Sequence, residues 1–250
     1  MRLLVANDDG IDAKGIYTLV KELEKVHEVI VVAPNNQRSA CGHSITITSP
    51  IIIKACKLEG IKSKAYSISG TPADCVRMGL DMLSEGKVDM VVSGINRGLN
   101  VGTDVIYSGT VSAAMEAAIY EVPSLAVSQE TNGDEEQYEV AAKYALKVLE
   151  MLKDKPLGED VVLNLNVPLC SEEEIKGLKV CKVGKTSYRH SYFEYVDEKG
   201  RGYNVRGTMN EKKFEEDDVD YIREKYVTLT PLHFDLTNFQ LLKAVEDIVR

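Results

Sequence analysis

The sequence predicts an α/β protein: a mostly parallel sheet with helices on both faces, continued by a C-terminal β-hairpin arm and a terminal helix. Through the first two-thirds of the 250 residues, short apolar runs alternate with stretches of helical periodicity. Those runs are apolar throughout, as strands buried on both faces must be. After Pro168 the texture changes, and aromatic residues gather around a turn before a final amphipathic segment.

Arg2–Ala6 is a short strand ended by Asn7. Residues 14–26 follow with Ile16, Leu19, Val20 and Leu23 on one helical face. Residues 29–33 form a second strand closed by Pro34, and 35–42 read as a polar loop. Residues 45–48 and 51–54, either side of Ser49-Pro50, predict a hairpin or a bend. A strand at 66–69 leads into a helix through Leu83, with Thr71 as N-cap and Pro72 in the first helical position. Residues 88–93 are a buried strand and 94–107 a glycine-rich loop. An Ala-rich helix follows over about 110–120 and ends before Pro123. A strand at 125–128, a helix at 135–152 and a strand at 161–167 complete the alternation.

Residues 180–206 hold Tyr188, Tyr192, Phe193, Tyr195 and Tyr203 around the turn Glu198-Lys199-Gly200, which predicts the hairpin arm. Glu215 to Asp218 read as a solvated helix start. Phe239–Val249 carries Leu241, Leu242, Val245 and Ile248 on one face. The chain divides into a core, 1–168, and a C-terminal extension, 169–250, within a single 1–250 unit.

Hydrophobic residues make up 44% and charged residues 28%, as in globular proteins. No apolar run reaches the roughly 18 residues of a membrane span, so no membrane partner is expected. The run before Asn7 is too short for a signal peptide. The five cysteines form no CxxC pair, which points to free thiols in the cytoplasm. A formal charge of −9 disfavours polymeric nucleic acid, which needs a basic track. A small phosphate ester stays open, because a bound divalent cation reverses the local field.

In open α/β sheets ligands bind beyond the carboxyl ends of the strands, and the polar motifs cluster there. Asp8 and Asp9 follow the first strand; two adjacent carboxylates repel unless a cation sits beside them. Oxygen donors of this kind suit Mg²⁺, Mn²⁺ or Ca²⁺ rather than Zn²⁺. A polar turn before Gly10 is the plainer reading. Ser39, after the second strand, and Asn96, after the 88–93 strand, are neutral oxygen donors or loop hydrogen-bonders. Ser108, Gly109 and Thr110 open the Ala-rich helix, either as an anion site or as simple capping. Thr71 and Asp74 allow the same two readings. His43 and His233 lie near these loops but are set aside as structural, and neither a P-loop nor a GxSxG elbow is present.

Asn-Asp-Asp-Gly at 7–10, Ala-Pro-Asn-Asn-Gln-Arg-Ser at 33–39 and His-Ser-Ile-Thr at 43–46 resemble the SurE (survival protein E) family. So do Ser-Gly-Thr-Pro-Ala-Asp-Cys-Val at 69–76, Ser-Gly-Ile-Asn-Arg-Gly-Leu-Asn at 93–100 and Tyr-Ser-Gly-Thr-Val at 107–111. Thr-Pro-Leu at 230–232 extends the likeness. Ala40 and Cys41 stand where glycine and another small residue are common in the family, and Ser112 and Ala117 where glycines are usual, which bears on loop shape and pocket size. The resemblance implies a Rossmann-like core and a divalent-metal-dependent nucleotidase. Its substrates would be nucleoside 5′- and 3′-monophosphates, with short polyphosphate for some relatives. It also implies one divalent cation, Mg²⁺ or Mn²⁺ with Ca²⁺ as a crystal stand-in, on Asp8, Asp9, Ser39 and Asn96. A homodimer or homotetramer with exchanged C-terminal elements is implied too. Asp8, Asp9 and Asn96 then act in catalysis, and Ser108, Gly109 and Thr110 bind phosphate. Two other readings stay open. One is an aspartyl-phosphate on Asp8, against which Asp8 and Asp9 lack the one-residue spacing usual for that chemistry. The other is a nucleotide-sensing module without turnover.

Overall fold

The computed structural model describes residues 1–133, 137–153, 155, 158, 160–186, 188–198, 200–210 and 214–250. Strand β1 (Arg2–Ala6) lies mid-sheet, between β2 (Glu28–Pro34) and β5 (Met90–Arg97), both parallel to it. Outside β2 lies β4 (Lys64–Ile68), and outside β5 lie β6 (Ser124–Gln129) and β7 (Val162–Val167), all parallel. Antiparallel strands close both flanks. On one side β3 (Ile53–Cys56) pairs with β4. On the other, β11 (Val227–Leu232) pairs with β7, and β8 (Leu178–Val180) runs parallel to β11. The nine-stranded sheet therefore reads β3-β4-β2-β1-β5-β6-β7-β11-β8. Strand order reverses at β1, which opens a crevice beyond the carboxyl ends of β1, β2 and β5.

Side-chain alternation along β1 builds the two cores. Leu3 and Val5 face one layer, packed with α1 (Lys14–Leu23) and α4 (Glu139–Leu152). Leu4 and Ala6 face the other, with α2 (Pro72–Met78) and α3 (Gly109–Ile119). All four strand residues are fully buried, so β1 is covered on both faces.

Several expectations are corrected. Of the hairpin or bend expected at 45–54, the bend forms, at Thr48 and Ser49, and the hairpin does not. Residues 45–48 are irregular, and β3 pairs with β4, whose register sets Ile53 opposite Ile68. The α-helix from Pro72 stops at Met78 and continues to Leu83 as a wider turn. The glycine-rich loop starts later than expected, because β5 runs on through Gly94 to Arg97 with an irregularity between Ser93 and Asn96. The glycine and asparagine that read as loop are carried in the strand because β6 supplies ladder partners for Asn96 and Arg97. Helix α1 ends at Leu23, and the expected start of α4 at Glu135 lies outside the described residues.

The arm is present as β9 (Tyr188–Asp197) paired antiparallel with β10 (Gly200–Met209), a separate two-stranded sheet. Lys199 of the expected turn lies outside the described residues. The terminal helix α6 (Phe239–Val249) buries none of its residues. Asp217 and Asp218 are fully buried rather than solvated, because they cap and brace α5 (Asp218–Arg223): the Asp217 side chain accepts from the Asp220 N–H at 3.1 Å. No helix among the described residues is long and apolar enough to cross a membrane.

Candidate active site

The turn after β1 is built by Asn7, which is fully buried. Its amide donates to the Gly10 carbonyl at 2.8 Å and its side-chain oxygen accepts from the Gly10 N–H at 3.2 Å. These two hydrogen bonds close residues 7–10 into an elbow that carries Asp8 and Asp9. The loop after β2 is sewn to this elbow. The Arg38 N–H donates to the Asp8 carbonyl at 2.7 Å, and the Ile11 N–H to that of Pro34 at 2.9 Å.

Asp8 is only 3% exposed. The Thr110 hydroxyl donates to its Oδ1. Gly109 lies flat against it: a Cβ there would stand 2.8 Å from the Asp8 Cβ and 2.9 Å from Oδ2. Only glycine lets the start of α3 approach so closely. Burial lifts the Asp8 carboxyl to about 6; the Thr110 hydroxyl pulls the other way, and the charge of Asp9 adds to the rise. Asp8 makes no ion pair among the described residues. A buried carboxylate lifted in this way is the environment a bound cation relieves.

Asp9 is half-buried. Its Oδ2 accepts from the Arg97 backbone N–H at 3.0 Å, and its Oδ1 from Gln37 Nε2 at 3.3 Å. The same Nε2 donates to Ser39 Oγ at 2.8 Å, so Gln37 bridges Asp9 and Ser39. Asn96 sits one residue before the amide that reaches Asp9. Its own Nδ2 donates to the Gly98 carbonyl at 2.8 Å, which fixes the plane of its amide.

Ser108 is the N-cap of α3. Its side chain accepts from the Val111 N–H at 3.1 Å, and its carbonyl accepts from the Ser112 hydroxyl at 2.6 Å. The helix therefore presents the first-turn N–H groups of Gly109 and Thr110 beside Asp8, where the helix dipole favours an anion. Asp9 also lines a cleft with Asp12, Lys14, Gln37, Arg97 and Tyr138.

Hydrogen bonds thus link Asp8 with Thr110, and Asp9 with Ser39 through Gln37, while Gly109 packs directly against Asp8. Asn96 joins through its neighbour Arg97. Among the described residues no three His, Cys, Asp or Glu groups gather to hold a metal. The donors at hand are two carboxylates, a hydroxyl and an amide oxygen, a set that suits a hard cation with water in its remaining positions. Thr71 and Asp74 resolve as a capping box on α2, the Thr71 N–H donating to Asp74 Oδ2 at 2.9 Å and the Asp74 N–H to Thr71 Oγ1 at 3.1 Å. Gln37 was not singled out in the sequence, although it stands two residues before Ser39 in the same loop. His43, set aside above, pairs with the buried Glu116 of α3 at 2.7 Å.

The whole chain is similar to known proteins. The family model for "Survival protein SurE" matches residues 3–190. A protein of Clostridium botulinum (strain ATCC 19397 / Type A) named 5′-nucleotidase SurE is 57% identical over 250 residues, covering 99% of each chain. The protein of that name from Clostridium beijerinckii is 53% identical over 251 residues, again covering 99% of each. The crystal structure of SurE protein from Aquifex aeolicus superposes with a TM-score of 0.86 at 37% identity, over 100% of both chains.

Proposed function

The chain belongs to the SurE family, and on that footing we propose that it is a 5′-nucleotidase, a metal-dependent phosphatase that splits nucleoside monophosphates into nucleoside and phosphate. The observation that carries the reading is the position of Asp8. It is one of two adjacent carboxylates at the switch point of the sheet and is packed against the N-terminus of α3. Cation-binding oxygens and phosphate-binding N–H groups therefore share one wall of the crevice. Activity on 3′-monophosphates and short polyphosphate belongs to the same proposal, as the family resemblance implies.

The residues present fit a hard divalent cation, Mg²⁺ or Mn²⁺, with Asp8 and Asp9 as charged donors and Ser39 Oγ and Asn96 Oδ1 as neutral ones. Such an ion supplies the positive charge that lets a phosphate approach two carboxylates, and it makes water more acidic. The chain's own groups do the rest. Gln37 holds Ser39 and Asp9 in register, and the Asn96–Gly98 bond fixes the plane of the Asn96 amide, leaving Oδ1 as the donor it would offer a cation. The Gly109 and Thr110 N–H groups and the Ser108 hydroxyl receive the phosphate oxygens and gain strength as charge builds on them. Asp8 or Asp9 orients the attacking water and takes its proton. The cleft beside Asp9 gives the nucleoside a way out.

The domain division at 168 and a homodimer or homotetramer with exchanged C-terminal elements belong to the same reading. They are supported by the exposed apolar face of α6, where Leu241, Leu242, Val245 and Ile248 are each at least half exposed. All five cysteines are free thiols, which supports a reducing, cytoplasmic setting. Phosphate release from AMP or GMP tests the function. It should vanish with EDTA and return with Mn²⁺ or Mg²⁺; no release with any divalent metal would leave only a nucleotide-binding module. Trapping phosphate covalently on Asp8 would replace direct attack by water with an aspartyl-phosphate route.

A further inference from the structure

Between Asn96, at the metal side of the site, and Ser108, at the phosphate side, the chain crosses residues 97–107, with a 3₁₀ turn at Gly102–Ile106. Whatever fixes this turn fixes where α3 begins. The core holds its upstream end: Asn100 donates its N–H to Asn166 Oδ1 at 2.8 Å, and its carbonyl accepts from Asn164 at 2.8 Å. The next residues are held from a distant part of the chain. Val101 packs against Val219 and Ile222 of α5.

Three consecutive residues of the turn then meet three residues of the C-terminal extension. The Gly102 N–H donates to Asp218 Oδ2 at 3.0 Å. The Thr103 N–H donates to Thr186 Oγ1 at 3.0 Å, and the Thr103 hydroxyl to the Thr186 carbonyl at 3.1 Å. The Tyr188 hydroxyl donates to Asp104 Oδ2 at 2.6 Å. Asp218 is fully buried, and its other oxygen accepts from Gly184 at 2.8 Å and Val219 at 2.9 Å. One carboxylate therefore ties the turn, the approach to β9 and the start of α5 together. Gly102 has φ +57°, and a Cβ there would stand 2.6 Å from the Thr186 side chain, so the two segments are in direct contact. Downstream, the Tyr107 N–H returns to the Asp104 carbonyl at 3.0 Å, one residue before the Ser108 cap.

From this grip we infer that Thr186, Tyr188 and Asp218 are positioning residues for phosphate binding: the C-terminal extension sets the start of α3 by clamping residues 102–104. The inference rests on the phosphate role proposed for Ser108, Gly109 and Thr110. The clamp bears first on the phosphate side. Asp9 and Ser39 hang from the β1 and β2 exits, Asn96 is held in β5, and Asp8, although Thr110 and Gly109 lie against it, keeps its place through the Asn7 elbow and the Arg38 N–H, so loosening the clamp weakens phosphate affinity more than metal affinity. Tyr188 is also the first residue of β9, so movement of the arm is transmitted to the phosphate end of the crevice.

The test uses the full-length protein with Tyr188→Phe, which deletes one side-chain hydrogen bond, Thr186→Val, which deletes the two that Thr186 Oγ1 makes with the Thr103 N–H and hydroxyl, both keeping nearly the same shape, and Asp104→Asn, which keeps an acceptor for Tyr188. Calorimetry measures the Mn²⁺ dissociation constant and, on the Mn²⁺-loaded protein, that of inorganic phosphate; KM and kcat for AMP follow. Tyr188→Phe and Thr186→Val should each weaken phosphate binding and raise KM by about tenfold, with Mn²⁺ affinity held within about twofold. Asp104→Asn should stay close to wild type. Phosphate binding within about twofold of wild type in both deletion variants would overturn the inference, as would equal losses of phosphate and Mn²⁺ affinity. If Tyr188→Phe does not fold, Thr186→Val decides alone. Phosphate binding reads the clamp even if the wild type releases no phosphate from AMP, a result that would instead count against the enzymatic role.

Discussion

Gly109→Ala places one methyl group at the most crowded contact in the crevice. The added Cβ would stand 2.8 Å from the Asp8 Cβ and 2.9 Å from its Oδ2. Ordinary contact between such atoms is about 3.5–4.0 Å, so Asp8 and the first turn of α3 must separate by roughly 1 Å. Asp8 cannot yield freely, since its elbow is closed by Asn7 and its carbonyl is held by the Arg38 N–H. Alanine in the helix gains about 0.5–1 kcal/mol over glycine, while overpacking a buried site costs about 1–3 kcal/mol. The net loss of about 1 kcal/mol should lower Tm by only about 2–4 °C in a chain of this length. A displacement of about 1 Å in a catalytic group costs on the order of a hundredfold in rate. Gly109→Ala should therefore release phosphate from AMP about a hundred times more slowly at saturating Mn²⁺, with Tm nearly unchanged. Turnover within about threefold of wild type would show that the Asp8–α3 contact plays no part in the chemistry.

Thr110→Val removes the hydroxyl that donates to Asp8 Oδ1. Activity should fall about tenfold, and in metal-free protein the Asp8 carboxyl should titrate higher still, which carboxyl-detected NMR would read as an upward shift. Burial already holds Asp8 at about 6, above the 3.8 of an unperturbed carboxyl. Its ionisation therefore opposes folding of the metal-free protein above about pH 6, by roughly 3 kcal/mol at most, and that cost is gone below about pH 4. Mn²⁺ requires the ionised form, so its affinity should drop about tenfold per pH unit as the pH falls below 6; calorimetry at pH 7.5 and 5.0 giving one value would contradict this. Leu165→Ala, at a fully buried position on β7, should cost about 2–5 kcal/mol and roughly 10 °C in Tm with KM unchanged, measured by differential scanning calorimetry and AMP turnover.

The alternating core was legible because its signals are local. Leu3 to Ala6 is a strand of unbroken apolar character ended by Asn7, and Ile16, Leu19, Val20 and Leu23 recur at helical spacing. The elements misread or left unassigned depend on distant partners. Residues 45–54 carry hairpin chemistry, but β4 offers Ile53–Cys56 a better antiparallel partner. In β11, Thr228 and Thr230 are buried despite their polarity, because β7 and the extension flank them, and no period of the sequence announces this. Asp217 and Asp218 look like a charge run until backbone N–H groups from separate segments are seen to converge on Asp218. For the site, Asp8 and Asp9 stood out as adjacent carboxylates after a buried strand. The bridge through Gln37 and the contact with Gly109 arise only when β1, β2 and α3 are brought side by side.

A crystal soaked in Mn²⁺ and measured for anomalous scattering tests the cation site directly. The account predicts one strong peak about 2.0–2.4 Å from carboxylate oxygens of Asp8 and Asp9, Ser39 Oγ and Asn96 Oδ1, absent from the same map of Asp8→Asn protein. A peak held by other residues, or none at saturating Mn²⁺, would contradict it.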